Sequence, residues 1–129
     1  MNSPAYHPTE SKYKGGADEM YVTYELTQPT RGRDSADYPK VKRVYIAGEV
    51  REWKTGDFEK RTGRRVHGVR IDYEQERSSY RRRSGTPVRR GTQLFTQVVE
   101  VPERARDIHF YRAHGDLPPR YREALQRIR

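Results

Sequence analysis

Apolar and polar residues alternate with period two along several stretches of the chain. Where aromatic and β-branched residues fill such a pattern, it predicts half-buried strands. In Met20–Thr27, Met20, Val22, Tyr24 and Leu26 share one face, and Tyr21, Thr23 and Glu25 the other. Val41–Trp53 sets Val44, Ile46, Gly48 and Val50 against Tyr45, Ala47, Glu49, Arg51 and Trp53. A glycine inside such a run marks a bulge or a close approach of backbone, and Gly48 is read that way. Val66–Glu76 sets Val69, Ile71 and Tyr73 against Gly68, Arg70, Asp72 and Glu74. Thr92–Val101 has Phe95, Val99 and Val101 on one face and Leu94 and Val98 on the other, which predicts a central strand. Pro102 ends its ladder for want of an N–H. Pro102–Arg106 is a link, extended or one helical turn, before a short fifth strand, Asp107–Arg112, with Ile108 and Phe110 inward.

The period then changes. In Leu117–Arg129, Tyr121, Leu125 and Ile128 stand at i, i+4 and i+7 with Ala124 beside them, the stripe of an amphipathic helix. Pro118 or Pro119 suits its first position, and Arg127 and Arg129 suit its C-terminal dipole. Strands first and helix last predict a mainly β fold, α+β at the margin. The expected form is an antiparallel sandwich or partly open barrel of about five strands with one C-terminal helix. The 129 residues fit one domain, 20–129. Residues 1–19 contain Pro4, Pro8, Gly15 and Gly16 and read as a flexible arm. Gln28–Pro39 is a loop by its proline, glycine and aspartate content.

Between the second and third strands lies Lys54–Arg65, read as a loop with two turn signals, Thr55-Gly56-Asp57 and Thr62-Gly63-Arg64. About a dozen residues is long for a hairpin, and long loops often carry function. Glu76–Gly91 is too charged for a core and reads as an exposed loop or strand end. Together these two basic stretches hold most of the net positive charge. The chain carries a net +9 with a pI near 10.0, and +7 of that falls within residues 51–91. Of the 27 basic residues, 21 are arginine. An excess of this kind attracts polyanions.

Composition also excludes chemistry. The chain contains no cysteine, so disulfides, thiolate catalysis and cysteine-ligated zinc are out. No stretch approaches the length of an apolar membrane span, and Met1–Glu19 lacks the apolar core of a secretory signal. A cytoplasmic protein without membrane partners is therefore expected. The single asparagine, Asn2, beside abundant arginine and glutamate, is compatible with a thermophile. The glycines at 15, 16 and 63 fit neither a phosphate loop nor a dinucleotide fingerprint, and no cofactor is implied.

Three groupings carry candidate chemistry. The first is the basic loops with their aromatics. Lys54, Lys60, Arg61, Arg64 and Arg65 lie in one, and Arg81, Arg82, Arg83, Arg89 and Arg90 in the other. Guanidinium forks match phosphate oxygens, and Trp53, Phe58, Tyr45 and Tyr80 offer faces on which bases stack. The second is Glu49, His67 and Asp72, which a hairpin could bring together for acid–base work or leave as cross-strand ion pairs with Arg51 and Arg70. The third is His109 and His114 with Asp107 and Asp116, a mixed set that matches no zinc motif.

The leading expectation is non-enzymatic binding of nucleic acid or another polyanion. Its candidate contacts are Trp53, Lys54, Phe58, Lys60, Arg61, Arg64, Arg65, Tyr80, Arg81, Arg82, Arg83, Arg89 and Arg90. The alternative is a protein-interaction or self-assembly module whose arginine-rich surface meets an acidic protein or a second copy, with Met20–Thr27 as a candidate sheet edge for pairing. A third reading is an enzyme on phosphorylated substrates using His67 and Glu49.

Overall fold

The structure, a computed structural model, describes residues 16–27, 37–80 and 87–127. Six strands form two three-stranded antiparallel sheets. The strands are β1 (Asp18–Thr27), β2 (Asp37–Ile46), β3 (Glu49–Glu59), β4 (Arg65–Tyr80), β5 (Pro87–Glu100) and β6 (Arg106–Tyr111). A short 3-10 turn, His114–Asp116, precedes the helix α1 (Pro119–Arg127). One sheet has the order β2-β1-β6 and the other β3-β4-β5. Both sheets are open and no closed barrel forms; they face each other around one core, within the expected sandwich or partly open form.

The alternation predicts which side chains meet between the sheets. Met20, Val22 and Tyr24 of β1, Val44 and Ile46 of β2 and Phe110 of β6 face Val50 of β3, Val69 and Ile71 of β4 and Val99 of β5, with Val101 and Ala105 closing the cluster. Val22, Ile46, Val69 and Ile71 are fully buried. At roughly 25 cal/mol per Å² of apolar area, this stripe is the main favourable term in folding.

The stretch Val41–Trp53, expected to be one strand, is two. The chain leaves the first sheet at Ile46 and enters the second at Glu49. Gly48 makes that switch possible. A Cβ there would lie 2.7 Å from the Tyr73 ring and against the Glu74 carbonyl, the close backbone approach that its position predicts. The inward alternation runs unbroken through the switch, from Val44 and Ile46 to Val50, so periodicity alone gave no break.

Two further expectations change. Thr92–Val101 is not central: β5 is an edge strand, and Leu94 on its outer face is 66% exposed. Met20–Thr27 is not an edge: β1 is the middle strand of its sheet, and Met20 through Glu25 are buried on both faces. The helix is the cause. Tyr21 and Val41 pack against Leu117, Tyr121, Ala124 and Leu125, so α1 forms a third layer over the supposedly polar face of β1. Pro119 is the first helical residue, as its ring predicts. Asp107, at φ 53, takes the left-handed conformation where β1 and β6 shift register, a conformation that aspartate tolerates better than most residues.

Thr23 lies in the same β1–helix layer, 1% exposed, and its hydroxyl finds no hydrogen-bond partner among the described residues. An unpaired buried hydroxyl costs free energy, and valine has nearly the same shape and a higher strand preference. Thr23→Val is expected to raise stability by about 1 kcal/mol, seen as a higher urea midpoint at constant slope. A lower midpoint would mean that the hydroxyl is satisfied.

Candidate nucleic-acid interface

The first basic stretch is mostly strand. Lys54 pairs with Arg70, Thr55 with Val69, Gly56 with Gly68, Asp57 with His67 and Phe58 with Val66 along the β3–β4 ladder. The expected loop Lys54–Arg65 therefore shrinks to the turn Lys60–Arg64. It is closed by hydrogen bonds from Lys60 N to Arg64 O (2.8 Å) and Gly63 N to Lys60 O (2.8 Å), with Gly63 at φ 92. Of the two turn signals, Thr62-Gly63 supplies the turn. Gly56 instead faces Gly68 across the ladder, where two small residues allow strand pairing to continue.

Around this turn the cations converge on one carboxylate. Arg64 forks onto Glu100 at 2.9 and 3.4 Å, and Lys60 stands 4.0 Å from it. Lys42, from the other sheet, donates to the Glu100 carbonyl at 2.7 Å. The Arg64 hydrogen bonds hold the Glu100 carboxyl below its ordinary range, and Glu100 in turn raises the Arg64 guanidinium. Arg65 reaches the Asp57 carbonyl at 3.4 Å, while Lys54 and Arg61 are exposed. The turn is thus positive but partly neutralised from within.

The second basic stretch has a different form. The β3 ladder ends where Glu49 meets Glu74. Beyond it, β4 and β5 continue as a two-stranded ribbon, from Gln75 opposite Gln93 to Tyr80 opposite Pro87. The expected loop 77–91 is therefore strand up to Tyr80 and again from Pro87. Arg77 lies opposite Gly91, Ser78 opposite Arg90 and Ser79 opposite Arg89. Tyr80, Arg89 and Arg90 are placed by backbone register alone, and Arg81, Arg82 and Arg83 lie outside the described residues.

The two basic stretches sit at opposite ends of β4. Arg65 starts that strand and Tyr80 ends it, a span of about 50 Å at ~3.3 Å per residue. Within one chain they do not form one compact patch.

The aromatics are less available than expected. Trp53 is half-buried, edge-on to His109 at 5.0 Å and tilted against Phe110 at 6.1 Å, on the rim of the core. Phe58 folds back over Gly56, in register with the buried Val66. Tyr45 is 55% exposed, with its hydroxyl 3.4 Å from Glu19.

The acidic and histidine set is dispersed. His67 Nδ1 meets Asp57 Oδ1 at 2.9 Å, and Arg51 bridges Glu74 at 2.8 Å and Glu49 at 3.6 Å. Asp72 accepts from Arg70 (3.1 Å) and Thr96 (2.8 Å). Burial pushes the Asp72 carboxyl up, but the Thr96 and Arg70 hydrogen bonds and the Arg70 charge together outweigh it and leave it lowered. Glu49 and His67 stand at opposite ends of the β3–β4 ladder, so the acid–base pairing imagined for them is not assembled. His109 packs between Trp53 and Tyr111, and His114 touches Tyr21 edge-on. Among the described residues no group of three or more histidines and carboxylates converges. Among them, too, no helix is long and apolar enough to cross a membrane.

Sequence reasoning missed the buried acid. Glu25, 5% exposed, receives both Arg120 guanidinium nitrogens at 2.5 and 3.0 Å and the Tyr121 hydroxyl. One signal was present: Tyr21 and Thr23, the neighbours of Glu25 on that face, are uncharged, and an apolar helix stripe needed a surface to cover.

Comparison with protein-family models, with curated proteins and with solved structures gives no match.

Proposed function

We propose that the protein binds nucleic acid without catalysis, and that the β4–β5 ribbon is its principal contact. The observation that carries this reading is the charge of the ribbon segment. Residues 77–91 hold six arginines and no acidic residue, and three of them, Arg77, Arg89 and Arg90, lie on strand positions past the last β3 partner. A run of arginines with no acidic residue within it offers guanidinium forks to phosphate oxygens. A two-stranded ribbon is also narrow enough to enter the major groove of a duplex. The Lys60–Arg64 turn is a secondary contact, because Glu100 already engages its cations.

The test is a fluorescence-anisotropy titration with short DNA and RNA, each single- and double-stranded, at several salt concentrations. If about five phosphates are neutralised, log affinity for duplex DNA falls against log salt with a slope of roughly −4 to −5. Replacing Arg89 and Arg90 with serine is expected to flatten the slope by about two units, and replacing Lys60 and Arg64 by less. Absence of binding at low salt sinks the reading.

A further inference from the structure

Two open sheets have four edge strands, and exposed edges are sites of unwanted pairing unless something blunts them. Three carry such devices. β2 has Pro39, Lys40, Lys42 and Arg43; β3 has Glu49, Arg51, Glu52, Lys54, Asp57 and Glu59; β6 is six residues long, with a register shift and Arg106 and Asp107 at its start. β5 has none. Gly91–Val99 is nine residues without charge or proline, and its Thr92, Gln93, Leu94 and Thr96 are exposed.

We infer that this edge is covered by the β5 edge of a second copy, in an antiparallel two-fold pair centred on Phe95 that joins two sheets into one of six strands. The charge pattern selects this occupant. The uncharged run is flanked by Arg89 and Arg90 at its start and by Glu100 at its end. Antiparallel pairing about Phe95 sets Arg90 in register with Glu100 of the partner subunit, whereas parallel pairing aligns like charges. Opposite charges facing across a ladder are favourable and like charges are not, although Glu100 already holds Arg64 and Lys60 of its own chain, so register and not added charge energy is what this pairing sets. A two-fold contact is self-complementary in this sense.

In the proposed register, residues 92–94 of the partner lie along Thr96–Val98 at the free edge. The pairing also changes the electrostatics. It lays the ribbon of one copy beside the Lys60–Arg64 turn of the other, so that two basic stretches held far apart in one chain become neighbours across the dimer. The dimer does not depend on the nucleic-acid reading, and its test contains no nucleic acid.

The full chain is examined by sedimentation equilibrium and light scattering over a wide concentration range. The unmodified protein is expected to be a dimer at tens of micromolar. Leu94→Lys puts a charge on the edge at a solvent-exposed position and is expected to raise the dissociation constant by at least about tenfold, with an unchanged circular dichroism spectrum. Thr92→Lys, also exposed, provides a second variant should the first fail to fold. Because the chain has no cysteine, single cysteines report the register directly. Phe95→Cys faces its own copy across the two-fold axis and is expected to cross-link on mild oxidation, while Thr92→Cys, displaced along the strand from its copy, is not. A monomer at every concentration, a dimer indifferent to both lysines, or cross-linking at 92 in place of 95 overturns the inference.

Discussion

Gly68→Ala is expected to destabilise the protein by about 3 kcal/mol, near the upper end for an overpacked interior. In an exposed strand, alanine for glycine ordinarily gains a fraction of a kcal/mol by restricting the unfolded chain. At Gly68 the folded state decides. A Cβ there would meet the Val99 carbonyl oxygen, with the carbonyl carbon at 2.9 Å and Glu100 Cα at 3.1 Å. These are backbone atoms, so no rotamer change relieves the clash. Nor is the backbone free to retreat. Val99 pairs with Val69, both sit in the core, and Val101 N donates to His67 O at 2.8 Å just beyond. Moving β5 away would open the core at Val99 and Val101 together. Gly91→Ala is the control: its Cβ would meet nothing within 4 Å, and it is expected to be neutral or slightly stabilising. Paired urea titrations separate the two. Equal midpoints would mean that β5 is not held where Val99 and Val101 place it.

The same close contacts show what the sequence could and could not convey. Alternation identified the inner faces of β1, β2, β4 and β5 correctly because period two follows from strand geometry alone. It could not show that Ile46 and Val50 belong to different sheets, since a switch at a glycine keeps the inward phase. Nor could it tell edge from centre. Leu94 and Val98 made β5 look buried on both faces, and Thr23 and Glu25 made β1 look half-exposed, yet a helix nearly a hundred residues later in sequence covers β1 and nothing in the described chain covers Leu94. Contacts of that sequence separation leave no local signal. Among the candidate contacts, turn chemistry misled. Thr55-Gly56-Asp57 resembles a turn, but it lies in a ladder because Gly68 faces it. The arginine-rich run 77–91 read as loop because its charge excludes it from a core. A ribbon projecting beyond its sheet satisfies the same exclusion while keeping its backbone hydrogen bonds.

Glu25 is where the missing long-range information concentrates, and Glu25→Ala is expected to cost about 3 kcal/mol, the scale of breaking a buried, hydrogen-bonded ion pair. The carboxylate accepts two bonds from Arg120 and one from Tyr121 at the start of α1. Removing it leaves the Tyr121 hydroxyl buried without its acceptor and loosens the helix from β1, while Arg120, half in water, can find solvent. Glu25→Gln keeps the volume and one acceptor and is expected to cost less than half as much. A pH dependence follows from the same contact. Burial first, and Glu25 second, push the Tyr121 phenol well above its ordinary value of 10.0, and burial with Glu19 raises Tyr21 to about 12. Between about pH 10 and 12 the folded protein therefore holds phenolic protons that the unfolded chain has released. The phenolic contribution to stability is complete below pH 10 and falls as pH rises through that window. In Glu25→Gln the Tyr121 share of this loss should shrink, because its phenol then titrates nearer the ordinary value while Tyr21 is untouched. Urea midpoints as a function of alkaline pH, read with phenolate absorbance, measure both effects. A Glu25→Ala variant as stable as the parent, with the same alkaline slope, would show that α1 is held by its apolar stripe alone.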